Sequence, residues 1–361
     1  MYFNKKLYFC ELRCDNIIRL VYMDMERNSS VELYRIIATF AVLVFHFNGW
    51  LVGGMPKYFD FENISAFRVS QAIIESFSCI CVNMFLVISG YFGIKLKWQS
   101  VLRICLLLFS IHIPFYLIDC FYFNTPFLLK EFLRKFLVIS NGGYFIQCYL
   151  MLMLFSPIIN TFIEKYNKRK GALFVILIVI VEFWFDCITH SYFVGFINGY
   201  SVLHFTVVYM VARYVYIYRI ELMKYKKGFW VRVYFICSIL IFVLYVTHVN
   251  YVWQYSNPII IISAICSFMP FVYKSFVNKW VNWVAKSTLS VYIIHVTVPF
   301  YNQLVKYDTY ILDNYQYPVY LVFAIGGVLC VFVLSILYDK VRSLLTDPIY
   351  NYILSFVKNR E

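Results

Sequence analysis

Ten apolar runs, most of them close to the length that crosses a bilayer, follow one another along this chain. A helix needs about 20 such residues to span the hydrocarbon core. In lipid the backbone must satisfy its own hydrogen bonds, which leaves helices or closed barrels as the solutions. The runs lie near 33–50, 72–93, 101–122, 143–163, 171–188, 198–218, 229–248, 257–273, 287–305 and 317–338. The fifth and the eighth are short. No intervening loop is long enough for a soluble domain. The pattern predicts an all-α polytopic membrane protein of about ten transmembrane helices. A segment 1–32 precedes the membrane domain 33–338, and a tail 339–361 follows it. With 62% hydrophobic and 14% charged residues, against about half and a quarter in soluble domains, soluble enzyme folds, secreted disulfide scaffolds and disordered tails are excluded.

The net charge of +13 raises the question of nucleic acid, but its distribution gives another answer. With a cytoplasmic N-terminus, only Lys57, Arg68, Lys130, Arg134, Lys135 and Lys306 fall on the outer side, and the other 26 of the 32 basic residues lie on or near the inner side. Positive residues collect in cytoplasmic loops during insertion, so both termini are expected inside, with no nucleic-acid partner. Residues 126–140 place Lys130, Arg134 and Lys135 at helical spacing among leucines and phenylalanines, the pattern of a helix lying on the membrane surface. The tail 339–361 alternates in a similar way. Residues 1–24 combine basic residues with short apolar runs and no small-residue cleavage site, so no signal peptide is expected, and Met23 or Met25 offers an alternative start. The eleven cysteines show no CxxC pair and no His-Cys cluster, and no metal site is expected.

Ionisable residues inside spans mark function by default. Arg35 and His46 are 11 positions apart in the first span. At 100° per residue they share one helix face, separated by roughly 16 Å along the axis. Arg35 falls at the cytoplasmic interface and His46 in the outer half. Either residue alone has an ordinary structural reading: a snorkelling, orientation-setting arginine, or a histidine bonded to a neighbouring helix.

Arg-x10-His in the first span resembles the signature of the acyltransferase 3 family of membrane O-acyltransferases. Three further segments agree in order. VNMFLVISGYFGIK (82–95) is similar to the family's second-span motif, with Phe85, Ser89 and Gly90. GYFIQCYLMLMLFSPIIN (143–160) resembles its fourth-span pattern, although Gly143 stands where tryptophan is common. STLSVYIIHVTVP (287–299) resembles its late Tyr-x-x-His segment, with Tyr292 and His295. The second-to-third loop carries Lys95, Lys97 and Arg103 rather than a clean paired-arginine motif.

The resemblance implies an enzyme that moves an acyl group, acetyl above all, from acyl-CoA to a hydroxyl of a bacterial surface polysaccharide or lipid-linked glycan. It would act in the cytoplasmic membrane, without a permanently bound cofactor or a fused extracytoplasmic domain. On that reading His46 is the general base, since an imidazole near neutral pKa can take the acceptor's proton, and His295 assists or orients. Arg35, Lys95, Lys97 and Arg103 would meet the donor's phosphates, although the lysines also follow from insertion alone. Ser89 next to Gly90 invites a nucleophile reading, but close helix packing explains it as well. Glu32 is placed to pair with Arg35 at i,i+3, and Glu75 flanks the same site. His112, His190, His204 and His248 show no motif spacing. The rival reading is a non-enzymatic transporter or flippase for a glycan or lipid, against which no inverted repeat is visible.

Overall fold

The computed structural model describes residues 28–136 and 143–358. The expectations for residues 1–27, for the alternative start, for the end of the amphipathic stretch (137–140) and for residues 359–361 lie outside the described residues. Fourteen helices of seven residues or more cover most of the described chain, and among the described residues there is no strand.

Helix α1 (Ser29–Asn48) starts where Asn28 accepts a hydrogen bond from the Ser30 amide at 3.0 Å, an N-cap that satisfies one of the orphan donors of the first turn. A short kink at Cys79 and Ile80 joins α2 (Ala66–Ser78) to α3 (Cys81–Phe92). Then come α4 (Trp98–Tyr122), the short amphipathic α5 (Leu129–Phe136) and α6 (Gly143–Lys165). Helix α7 (Lys168–Glu182) passes directly into a π turn, Phe183–Ile188. After it follow α8 (Val202–Ile217), α9 (Lys227–Val246), α10 (Pro258–Val272), α11 (Lys279–Ala285) and α12 (Thr288–His295). The chain ends in α13 (Phe300–Asn314) and α14 (Val319–Lys358).

Helix α8 lies at the centre, against α3, α6 and α7, and its Phe205, Val208, Tyr209 and Ala212 have no exposure. A Cβ at Gly90 on α3 would press into the Tyr209 carbonyl and stand 2.7 Å from Ala212 Cβ, so glycine is what lets these two helices touch. Helix α1 packs beside α3, α10, α12 and α14. The outward faces are apolar, as with Leu173, Ile176, Leu177 and Ile180 on α7 and Val322, Ile325 and Leu329 on α14. Such surfaces belong against lipid. This is an all-α, multi-pass membrane protein.

Seven stretches are long and apolar enough to cross a membrane: α1, α2 with α3, α4, α6, α7 with its π turn, α9 and α14. Helices α8 and α10 are apolar but only 16 and 15 residues long. Both are enclosed by other helices over much of their length, so the bilayer thickness does not dictate their span. The ninth expected span, 287–305, is not continuous. It is helical to His295, breaks over Val296–Pro299 and resumes as α13, whose Asn302, Gln303, Lys306, Asp308 and Asp313 make it too polar to cross. The tail expected to lie apart from the last span is helical with it. Helix α14 runs for 40 residues, about 60 Å.

Candidate active site

The break after α12 leaves His295 at the end of its helix, beside the last turn of α1. His46 Nδ1 lies 2.7 Å from His295 Nε2, and the ring centroids are 4.9 Å apart. The direction of this bond follows from the other side of His295, whose Nδ1 lies 3.1 Å from the Val291 carbonyl. A carbonyl only accepts, so His295 Nδ1 carries the proton and a neutral His295 offers its lone pair at Nε2. His46 therefore donates Nδ1–H to His295, which leaves the lone pair of a neutral His46 on Nε2. When His46 takes up a proton, His295 still accepts from it. This is the logic of a base held in one tautomer by a second group.

Two residues on, Asn48 donates to Glu75 Oε2 and to the Gln71 carbonyl, both at 2.8 Å, and Gln71 donates back to the Asn48 carbonyl at 2.7 Å. This clamp fixes the end of α1 against α2. Glu75 thus anchors the helix that carries His46.

At the opposite end of α1 a cavity of about 820 Å³ opens between α1, α3, α4, α6 and α14. Its cations are Arg35, Lys95, Arg103, Lys286, Lys340 and Arg342, against the carboxylates Glu32, Asp339 and Asp347. Arg35 Nη1 donates to both Glu32 oxygens at 2.7 Å. An excess of positive charge within low-dielectric walls attracts anions. Lys97 stands just before α4, exposed and outside the lining. The loop before α4 brings Lys95 to the cavity and α4 brings Arg103, but Lys97 between them stays outside.

The cavity lining includes neither His46 nor His295. Aromatic rings occupy the interval. Tyr149, on the cavity wall, is stacked on Phe145 with centroids 6.0 Å apart. Phe145 meets Tyr292 at 5.0 Å, and Tyr292 meets His295 at 5.8 Å. Ser89, also on the wall, donates to the Phe85 carbonyl at 2.9 Å and lies 3.3 Å from the Tyr149 hydroxyl. It is engaged with its own helix and with α6. Among the described residues no group of three His, Cys, Asp or Glu side chains could hold a metal ion.

Sequence reasoning passed over two groups. Lys340, Arg342, Thr346 and Tyr350 reach the cavity because α14 continues past the membrane length. The alternation of charge and hydrophobe in the tail was the one available signal. The second group is buried. His204 on α8 has Glu182 Oε1 at 2.8 Å from Nδ1 and Asn83 Oδ1 at 2.9 Å from Nε2, and none of the three is exposed. Asn83 in turn donates to the Tyr255 carbonyl at 2.9 Å. These partners lie 22 and 121 positions from His204, so no spacing announces them.

The family described as "Acyltransferase domain" (Acyl_transf_3) matches the chain over residues 28–339. No curated protein and no solved structure matches it.

Proposed function

The chain belongs to the acyltransferase 3 family, and on that premise we propose that this membrane acyltransferase takes acyl groups, acetyl foremost, from acyl-CoA. The acceptor is a hydroxyl of a surface polysaccharide or lipid-linked glycan, and the site is a bacterial cytoplasmic membrane. Family membership favours the enzyme over the non-enzymatic transporter. One observation supports the particular reaction: a cationic cavity at one end of α1 and a histidine pair at the other, with a column of rings between them.

In this reading the cavity faces the cytoplasm. Arg35, Lys95 and Arg103 meet the donor's phosphates through charge-assisted hydrogen bonds, while Lys97 contributes only to the field at the rim. The long uncharged arm of the donor carries its thioester along the aromatic column toward His46. There Nε2 of His46 takes the acceptor's proton as the hydroxyl oxygen bonds to the thioester carbonyl. His295 holds the resulting imidazolium through Nε2. The carbon–sulfur bond breaks, and the proton passes from His46 to the departing thiolate, which leaves as the CoA thiol. Glu32 holds the Arg35 guanidinium in place.

The test uses purified protein in detergent with labelled acetyl-CoA and total cell glycan, for wild type, His46→Ala and Arg35→Ala. Turnover that disappears in His46→Ala while donor binding persists supports the assignment. Arg35→Ala should weaken donor binding instead. Absence of donor binding in every form defeats the acyl-CoA reading.

A further inference from the structure

The matched domain ends at residue 339, yet α14 continues to Lys358. One face of the continuation (Ser343, Thr346, Asp347 and Tyr350) lines the cationic cavity. At 100° per residue these positions share a side. The opposite side presents Val341, Leu344, Leu345, Ile349 and Tyr352, all exposed, a stripe suited to the membrane surface.

The continuation is fastened at two points. At its root, Asp339 accepts from Ser290 on α12 and from Arg342 Nε and Nη2 at 3.0 and 2.7 Å. Arg342 Nη1 donates to Ser110 on α4 at 3.2 Å and to Thr346 at 2.9 Å. Further along, the Tyr350 hydroxyl donates to the Gln99 carbonyl at 3.2 Å, and the Arg103 guanidinium lies 4.9 Å from the centre of the Tyr350 ring. The extension therefore walls the cavity in a fixed position, with a cation whose geometry is set beforehand at one end and a ring paired with a guanidinium at the other.

We infer that this extension recognises the nucleotide end of the donor. The Tyr350 ring takes the flat heterocyclic base, because bases stack on aromatic rings, and Arg103 beside it stays with the phosphates. Arg342 stands beside the phosphates with its side-chain ordering already complete, which lowers the entropic cost of binding. The inference rests on the acyl-CoA reading above.

Two donors separate the parts: acetyl-CoA, and S-acetyl-4′-phosphopantetheine, which has the thioester arm but no nucleotide. Tyr350→Ala should raise KM for acetyl-CoA about tenfold, with kcat unchanged and KM for the truncated donor unchanged. Tyr350→Phe, which keeps the ring, should stay near wild type. If Tyr350→Ala shifts both donors equally, or neither, the nucleotide assignment is overturned. If Tyr350→Ala proves misfolded by thermal unfolding, Tyr350→Leu, which keeps the bulk and removes the ring, is read in the same way. A wild type that turns over neither donor defeats the acyl-CoA reading and the inference with it. A wild type that turns over both, with variants unaffected, defeats the inference alone.

Discussion

His46 and His295 meet nitrogen to nitrogen at 2.7 Å across 249 positions of chain. Because the Val291 carbonyl fixes the proton of His295 on Nδ1, the two rings are not equivalent. A neutral His46 carries its lone pair on Nε2, and His295 engages His46 through Nε2 and the Val291 carbonyl through Nδ1. On the proposed mechanism the pair has one base and one support, and substitutions should separate the two roles.

His46→Ala should lower kcat by a factor of about 10²–10⁴, the range usual for loss of a general base. His295→Ala should lower kcat less and leave KM for the donor unchanged, since Arg35 and the cavity remain. Steady-state kinetics on both variants would check this. Equal losses with unchanged folding would argue that the two rings act as one unit.

Asp308 on α13 carries the clearest pH dependence outside the spans. Burial pushes its carboxyl up to about 7, against the opposing hydrogen bond from the Tyr320 hydroxyl, and its second oxygen is buried without a partner. An unfolded aspartate titrates near 3.9. Below about pH 4 both states hold the proton and stability is full. As pH rises toward 7 the unfolded state ionises first, and stability is lost. Asp308→Asn should therefore raise the melting temperature in detergent by roughly 3–6 °C at pH 8 and have little effect at pH 4. An equal offset at both values would refute the assignment.

Glu182 and His204 are both fully buried and 2.8 Å apart, and Glu182 Oε2 has no hydrogen-bond partner. Removing one partner of such a pair costs about 3–5 kcal/mol, while replacing both by apolar residues is far milder. Thermal unfolding should show Glu182→Leu strongly destabilised, and Glu182→Leu combined with His204→Leu partly restored. A double variant worse than the single would mean that the two side chains act independently.

Gly90→Ala should destabilise by about 1–3 kcal/mol, because the added methyl has to displace the backbone of α8 at Tyr209. Melting temperature and yield after extraction would register it. An unchanged melting temperature would show that α3 and α8 separate at little cost.

The fold class and the shared face of Arg35 and His46 were legible in the sequence because both depend on local rules. Lipid demands helices of a set length, and Arg35 and His46 share a face by helical arithmetic alone. The i,i+3 pairing of Glu32 with Arg35 belongs to the same class, and the ion pair forms at 2.7 Å. The position of His295 came only through the resemblance of its Tyr-x-x-His segment, since nothing local links it to His46.

What the sequence did not reveal depends on contacts between distant segments. The ninth run is apolar on average, but its helix stops at His295, and the polar α13 packs against the turn after α1. The tail was recognised as amphipathic, yet its continuity with the last span and its place over the cavity follow from packing against α4 and α12. Lys97 shares its loop with Lys95 but points elsewhere, a matter of the loop's path rather than its composition. His204 lacked any motif because its partners lie on α3 and α7.

The rings between the cavity and the histidine pair bear on a duty separate from acyl transfer. Any enzyme that works on both sides of a membrane must avoid becoming a conductance. Tyr149, Phe145 and Tyr292 present no charge along this interval, so an ion entering it would shed its hydration shell and gain no counter-charge. That cost runs to many kcal/mol for an isolated charge in an apolar medium, whereas an uncharged thioester arm incurs little of it. On the proposed reading, a column that lets an uncharged arm pass would still oppose sodium, potassium and chloride, with no moving gate needed to keep them out.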